Sequence, residues 1–156
     1  MRYVKIGFVV ILFIMLYLYG HKDAVADVPM NQLENAVVTG SGISVDTMTK
    51  GDDKQVRRFY NIAPEDVQYF LYVPSTVMSV DEILVIKAKS NEQAESLRDV
   101  VNSRLDSQKK SFEQYGTNQM GLLNNAVLEI KGNYLLFAVS EKASELKEQF
   151  ENTIRK

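Results

Sequence analysis

The chain has 156 residues, of which 46% are hydrophobic and 24% charged, with no Cys, no Trp and one His. The absence of Cys excludes disulfides, thiolate metal sites and cysteine nucleophiles, and a single His excludes multi-histidine metal centres. The apolar residues are unevenly spread: 19 fall in residues 1–26, leaving 40% over residues 27–156, an ordinary value for one soluble domain. That stretch carries 15 basic and 19 acidic residues, so no basic surplus points to nucleic acid as a partner.

The N-terminus opens with Arg2 and Lys5, followed by an apolar run from Ile6 to Tyr19. Fourteen residues suit the core of a signal peptide and are short for a spanning helix, which needs roughly 17–25. Tyr3, Tyr17 and Tyr19 flank the run as interfacial aromatics do, and Lys5 can snorkel. The expectation is a membrane segment through residues 6–20, with Arg2 and Lys5 inside and the rest of the chain outside. The alternative is secretion after cleavage near Ala26, since Ala24-Val25-Ala26 has the small-x-small form. This divides the chain into a signal or anchor helix, 1–26, and one extracytoplasmic domain, 27–156. His21, at the junction, reads as an interfacial residue.

The domain begins with a short helix over 27–39, with Pro29 in its first turn and Met30, Leu33 and Val37 at helical spacing. Thr39-Gly40-Ser41-Gly42 ends it, and Ile43 to Asp53 reads as loop or broken helix. Val56, Phe59 and Tyr60 suggest another short helix before the turn at Pro64-Glu65-Asp66. Gln68 to Val73 is aromatic and β-branched, a strand. Val80 to Lys89 is a second, whose centre Ile83-Leu84-Val85-Ile86 is apolar on both alternations and so expected to be covered on both faces.

Ser90 and Gln93 have the spacing of a capping box. The following helix carries Ala94, Leu97, Val101, Leu105, Gln108, Phe112 and Tyr115 on one face. Gly116 ends it and Thr117 is expected to cap a small helix. Val127 to Lys131 and Tyr134 to Val139 are strands joined by Gly132-Asn133, a tight-hairpin signal. Ser140 is expected to cap a last helix, with Ala143, Leu146, Phe150 and Ile154 on its apolar face. The order β-β-α-β-β-α predicts an α+β domain: a small antiparallel sheet with helices packed on one side, preceded by the membrane helix.

Between about residues 56 and 150 the sequence resembles a bacterial family, of clostridial-type Firmicutes, known as domain of unknown function 4358. The stretches that carry the resemblance are Asp81 to Lys87, Ser107 to Gly116 and Leu123 to Tyr134. It implies a small exported or membrane-attached protein and brings no catalytic residue. Members often resemble lipoproteins, which need a Cys that this chain lacks, so an anchor here must be the apolar helix itself.

Four residues stand out as ligand-contacting or structural polar positions: Gln108, Tyr115, Glu82 and Tyr134. Gln108 sits on an apolar stripe, where an amide must be hydrogen-bonded or costs a few kcal/mol. Tyr115 follows two turns on, as a core ring with its hydroxyl at the edge. Asp81 and Glu82 are adjacent on a strand and point to opposite faces, so they cannot pair as acid and base; one of them is expected to meet Lys109 or Lys110. Asp52-Asp53 and Glu65-Asp66 lack calcium-loop spacing and read as solvated turns. Gly40-Ser41-Gly42 lacks the nucleophile-elbow pattern, and the domain has no His to serve as base. No cofactor is indicated. The expected function is a non-catalytic binding or accessory module with an envelope protein partner. The alternative is a small-ligand or glycan binder using Tyr69, Tyr72, Tyr115 or Tyr134; a hydrolase comes third.

Overall fold

The computed structural model describes residues 2–20, 25–114 and 116–156. The apolar N-terminal run forms α1 (Arg2–Gly20), along which Phe8 to Leu16 are exposed. Among the described residues no helix is long and apolar enough to cross a membrane. His21 and Ala24 lie outside the described residues.

The domain proper is an α+β unit built on five antiparallel strands. In chain order come α2 (Met30–Gly40), β1 (Met48–Lys50), α3 (Asp53–Tyr60), β2 (Gln68–Pro74), β3 (Glu82–Lys87), α4 (Asn91–Phe112), α5 (Thr117–Asn124), β4 (Val127–Lys131), β5 (Tyr134–Val139) and α6 (Ala143–Ile154). The strand order is β1-β2-β3-β5-β4. β3 is central, with Glu82 opposite Val139 and Lys87 opposite Tyr134 on β5.

Two expectations are corrected. The stretch 43–53 contains an edge strand: Thr49 pairs with Val73 of β2, and Asp52 then starts α3 with a complete capping box. Three residues are too few to show a strand alternation, so only the neighbour reveals it. The helices also do not gather on one side. α3, α4 and α5 cover one face, over Leu71, Leu84, Ile86, Leu135 and Phe137. α2 and α6 cover the other, over Phe70, Ile83, Val85, Leu136 and Ala138. The physical reason is visible in β3 and β5, apolar on both alternations and therefore needing cover twice.

Three caps differ in detail. Ser90 accepts from the Gln93 N–H, but the Gln93 side chain accepts from the N–H of Lys89 rather than from Ser90. Gly116, not Thr117, precedes α5, and α6 begins after Lys142, with Ser140 accepting from the Lys142 N–H as a turn. The Gly132-Asn133 hairpin forms as expected, with Gly132 at φ 56°.

The segment from Val25 to Val28 is fixed to one end of the sheet. Val25 bridges Arg155, and the Ala26 N–H donates to Ile154 O at 2.9 Å. Lys87 pairs with Asp27. The chain therefore enters the domain at the Lys87 end of β3, and Glu82 marks the opposite pole.

Candidate functional site

The opposite pole holds the one buried carboxylate among the described residues. Glu82 shares its alternation on β3 with Leu84 and Ile86, which points it at α3 and α4, and it is fully buried. α4 brings Arg104 and Gln108, one turn apart, onto the stripe continued by Val101 and Leu97. α3 brings Tyr60, also buried.

These three side chains occupy both oxygens of Glu82. The Tyr60 hydroxyl and Arg104 Nε (3.2 Å) donate to Oε1. Arg104 Nη2 (2.6 Å) and Gln108 Nε2 (3.0 Å) donate to Oε2. Four donors fill the lone-pair positions of a carboxylate, so none is left to take a proton from a substrate. Burial, and then the Glu82 carboxylate beside it, hold the Tyr60 phenol well above its ordinary pKa. Burial works against the Arg104 charge, but the hydrogen bonds and charge of Glu82 outweigh it and raise the guanidinium. The Arg104 guanidinium lies 4.3 Å from the centre of the Phe59 ring, and that of Arg58 lies 5.8 Å from it.

The sequence-predicted residues separate in this structure. Glu82 and Gln108 are brought into direct contact. The ion-pair partner of Glu82 is Arg104, not Lys109 or Lys110, because only Arg104 lies on the buried stripe of α4. Asp81 is turned away and accepts from the Ser79 hydroxyl. Gln108 is bonded to a side chain rather than to backbone, and its amide orientation is dictated: an acceptor-only carboxylate requires Nε2 to face it. The amide oxygen is then left buried with no donor among the described residues.

Tyr134 stands at the other pole. Its hydroxyl accepts from the Val28 N–H (2.9 Å) and donates to Val28 O (3.1 Å), holding the entry segment. Tyr115 lies outside the described residues. The phenols of Tyr69 and Tyr72 are committed to Asp53 and Glu34. Sequence reasoning missed Tyr60 and Arg104. Arg104, three residues after Val101 and four before Gln108, carried a detectable signal as a cation at the edge of an apolar stripe.

Two depressions lie over this cluster and share Phe59, Arg104 and Ser107. The larger, about 660 Å³, runs between α3 and α4 past Arg58, Asn61, Asp99 and Ser103. The smaller, about 290 Å³, is bounded by Gln108 and Phe112 of α4, Val73 of β2 and the 75–79 loop. Beside it project Val77 and Met78, 89% and 63% exposed, the only large exposed apolar side chains outside α1 among the described residues. No cluster of three His, Cys, Asp or Glu able to hold a metal occurs among the described residues.

No curated protein and no solved structure is significantly similar to this chain. A family model matches residues 41–140, from just ahead of β1 through the end of β5. The match starts upstream of the resemblance read from the sequence and stops short of α6. It spans well over half of the chain, which therefore belongs to the family described as Domain of unknown function (DUF4358).

Proposed function

We propose that this chain is a membrane-tethered extracytoplasmic module that binds a protein at the cell envelope and performs no catalysis. The observation that carries the reading is the exposed Val77–Met78 pair at the pole away from the tether. Exposed apolar side chains beside a depression favour a protein contact. The filled coordination of Glu82 argues against a catalytic carboxylate, and the lone-pair count leaves no general base in the cluster. The exposed apolar residues of α1 and the basic residues before them support the tether.

The glycan-binding alternative draws less support. Neither depression is lined by Tyr69, Tyr72 or Tyr134. The test is a photo-cross-linking residue at position 77 of the full-length protein in intact cells, with a control at exposed Glu148 on α6. A discrete adduct from position 77 alone supports the reading. Equal labelling from both positions, or none from either, overturns it. The mass of the mature protein tests the tether separately: loss of residues 1–26 refutes it.

A further inference from the structure

β4 closes the sheet on one side and β1 on the other. β1 is only three residues long. β4 has five, with no Pro and no bulge in its register against β5, so it offers a straight row of backbone groups to another strand. Its burial shows where it is open. β5 is buried at every residue, whereas β4 is half-buried at every residue, on both alternations. Leu128 and Ile130 pack on the α3–α4 side and Val127 on the α2–α6 side. Glu129 reaches Lys147 of α6 at 2.7 Å. Both faces of the strand are therefore covered, and the exposure enters through the edge.

The hairpin fixes which groups are free. Lys131 and Tyr134 close a two-residue turn, so Val127, Glu129 and Lys131 bond to β5 while the N–H and C=O of Leu128 and Ile130 point outward. Among the described residues no loop or helix supplies those groups with a backbone partner. Charge then decides what can pair there. A second copy of β4, antiparallel and with its free groups facing these, can be centred on Leu128, Glu129 or Ile130. Centring on Glu129 sets the two Glu129 carboxylates directly opposite each other, which is destabilising. Centring on Leu128 sets Glu129 opposite Val127 and leaves Lys131 beyond the paired strand. Centring on Ile130 sets each Glu129 opposite the Lys131 of the other copy, in the non-hydrogen-bonded pairs where side chains approach most closely. It also sets the two β-branched Ile130 side chains together.

We propose that two copies of this chain join edge to edge along β4, antiparallel and with Ile130 on the two-fold axis, into one continuous sheet. The contact is isologous, so each copy supplies one charge to each of the two cross-strand pairs. Its axis is normal to the sheet. Val25 and Ala26 pack on the α2–α6 side in each copy, so both entry segments fall on one side of the joined sheet and both apolar helices can reach the same membrane. Confinement to that membrane raises the effective concentration available to a short edge contact. β3 and β5 separate this edge from β2 and the Val77–Met78 loop that follows it. The pairing rests on neither the tether nor the protein-contact reading.

The chain has no Cys, so introduced cysteines report without background. Glu129→Cys and Lys131→Cys, each in the full-length protein with its own tag, are expressed singly and together, and the membranes are oxidised. Both substitutions lie at the open edge and are compatible with folding. In the proposed register the paired positions lie about 4.5 Å apart between Cα atoms, inside the disulfide range of about 4.4–6.8 Å. Each position lies about 8 Å from its own counterpart, outside that range. The expected result is a covalent dimer from the co-expressed pair, several-fold above that from either variant alone. Glu129→Cys cross-linking by itself as strongly as the mixture puts the axis elsewhere and overturns the inference. A mixture no better than its parts, an adduct to a different protein in place of the dimer, or no product also overturns it. Failure of the position 77 cross-link would leave this inference standing, and failure here would leave the protein-contact reading standing.

Discussion

The two faces of the sheet are built by different means. Under α2 and α6 the core is mainly apolar: Leu33, Val37, Leu146, Phe150 and Ile154 pack on Phe70, Ile83, Val85 and Leu136, and its buried polar group is the Tyr134 hydroxyl, bonded to the backbone of Val28. Under α3 and α4 the same kind of aliphatic core runs until the Glu82 end of β3, where a buried carboxylate replaces it. An apolar face needs only volume and shape. A buried carboxylate needs named partners, and this one has donors from two helices. Such a cluster is weak evidence for stability, since an apolar replacement of similar volume is often neutral or better. What it provides is position: it holds α3 and α4 in register beneath the two depressions, whereas among the described residues the α2–α6 face buries no carboxylate.

The contrast can be broken most directly at Arg104. Arg104→Leu leaves Glu82 buried without its cation and should lower the free energy of unfolding by about 3–5 kcal/mol in urea titrations. The double variant Glu82→Leu/Arg104→Leu should recover much of that loss. If the double variant is no better than the single one, the partners do not act as a pair. On the other face, Leu146→Ala at a fully buried position should cost about 2–5 kcal/mol through the cavity it leaves, with no rescue by any charge change.

Tyr134→Phe should cost about 1–3 kcal/mol, because both the N–H and the C=O of Val28 lose their partner. Amide exchange should accelerate at Ala26 and Val28 more than at β3, since only the entry segment is released. A uniform acceleration would show instead that the tyrosine supports the whole core.

The faces also differ in their response to pH. Tyr60 has its pKa raised, so its contribution is complete below the unfolded value of about 10 and is lost as pH rises past it. Phenolate absorbance should show Tyr69 and Tyr72 ionising near 12, held up by burial and by their bonds to Asp53 and Glu34. Tyr60 should ionise only together with unfolding, and Tyr60→Phe should remove that component. A Tyr60 that titrates in the folded protein near pH 10 would contradict its burial against Glu82.

The smallest effect is expected at the β4 edge. Burial raises the Glu129 carboxyl, but Lys147 and Lys131 outweigh it and hold it below its ordinary value. A lowered carboxylate contributes stability above its unfolded pKa and loses it as pH falls through the folded one. The gap between wild type and Lys147→Met should therefore be at most about 1 kcal/mol at neutral pH and close under acid conditions. A gap that persists at low pH would assign the loss to packing rather than to the ion pair.

Much of this architecture is legible residue by residue. The double alternation of Ile83 to Ile86 announces a central strand, the 3–4 spacing from Ala94 to Gln108 announces a long helix, and Gly132-Asn133 announces a hairpin. Gln108 was recognisable as a polar intrusion on an apolar face. Its partner was not, because Glu82 lies 26 residues away and no local pattern connects them. Asp81 and Glu82 were separable by strand alternation, but which of them turned inward depended on the register of β3 against β5.

The sequence by itself determined where the longer helices and strands form, though not the three-residue β1, and which family the chain belongs to, because periodicity, turn residues and capping are local. The tertiary structure alone decided that β5 lies between β3 and β4, that α3, α4 and α5 take one face of the sheet and α2 and α6 the other, and that Tyr60, Arg104 and Gln108 meet on one carboxylate. These depend on which elements approach one another. Each of β3 and β5 asks by its own alternation for cover on both faces, but which helices supply it is settled only when all the elements pack together.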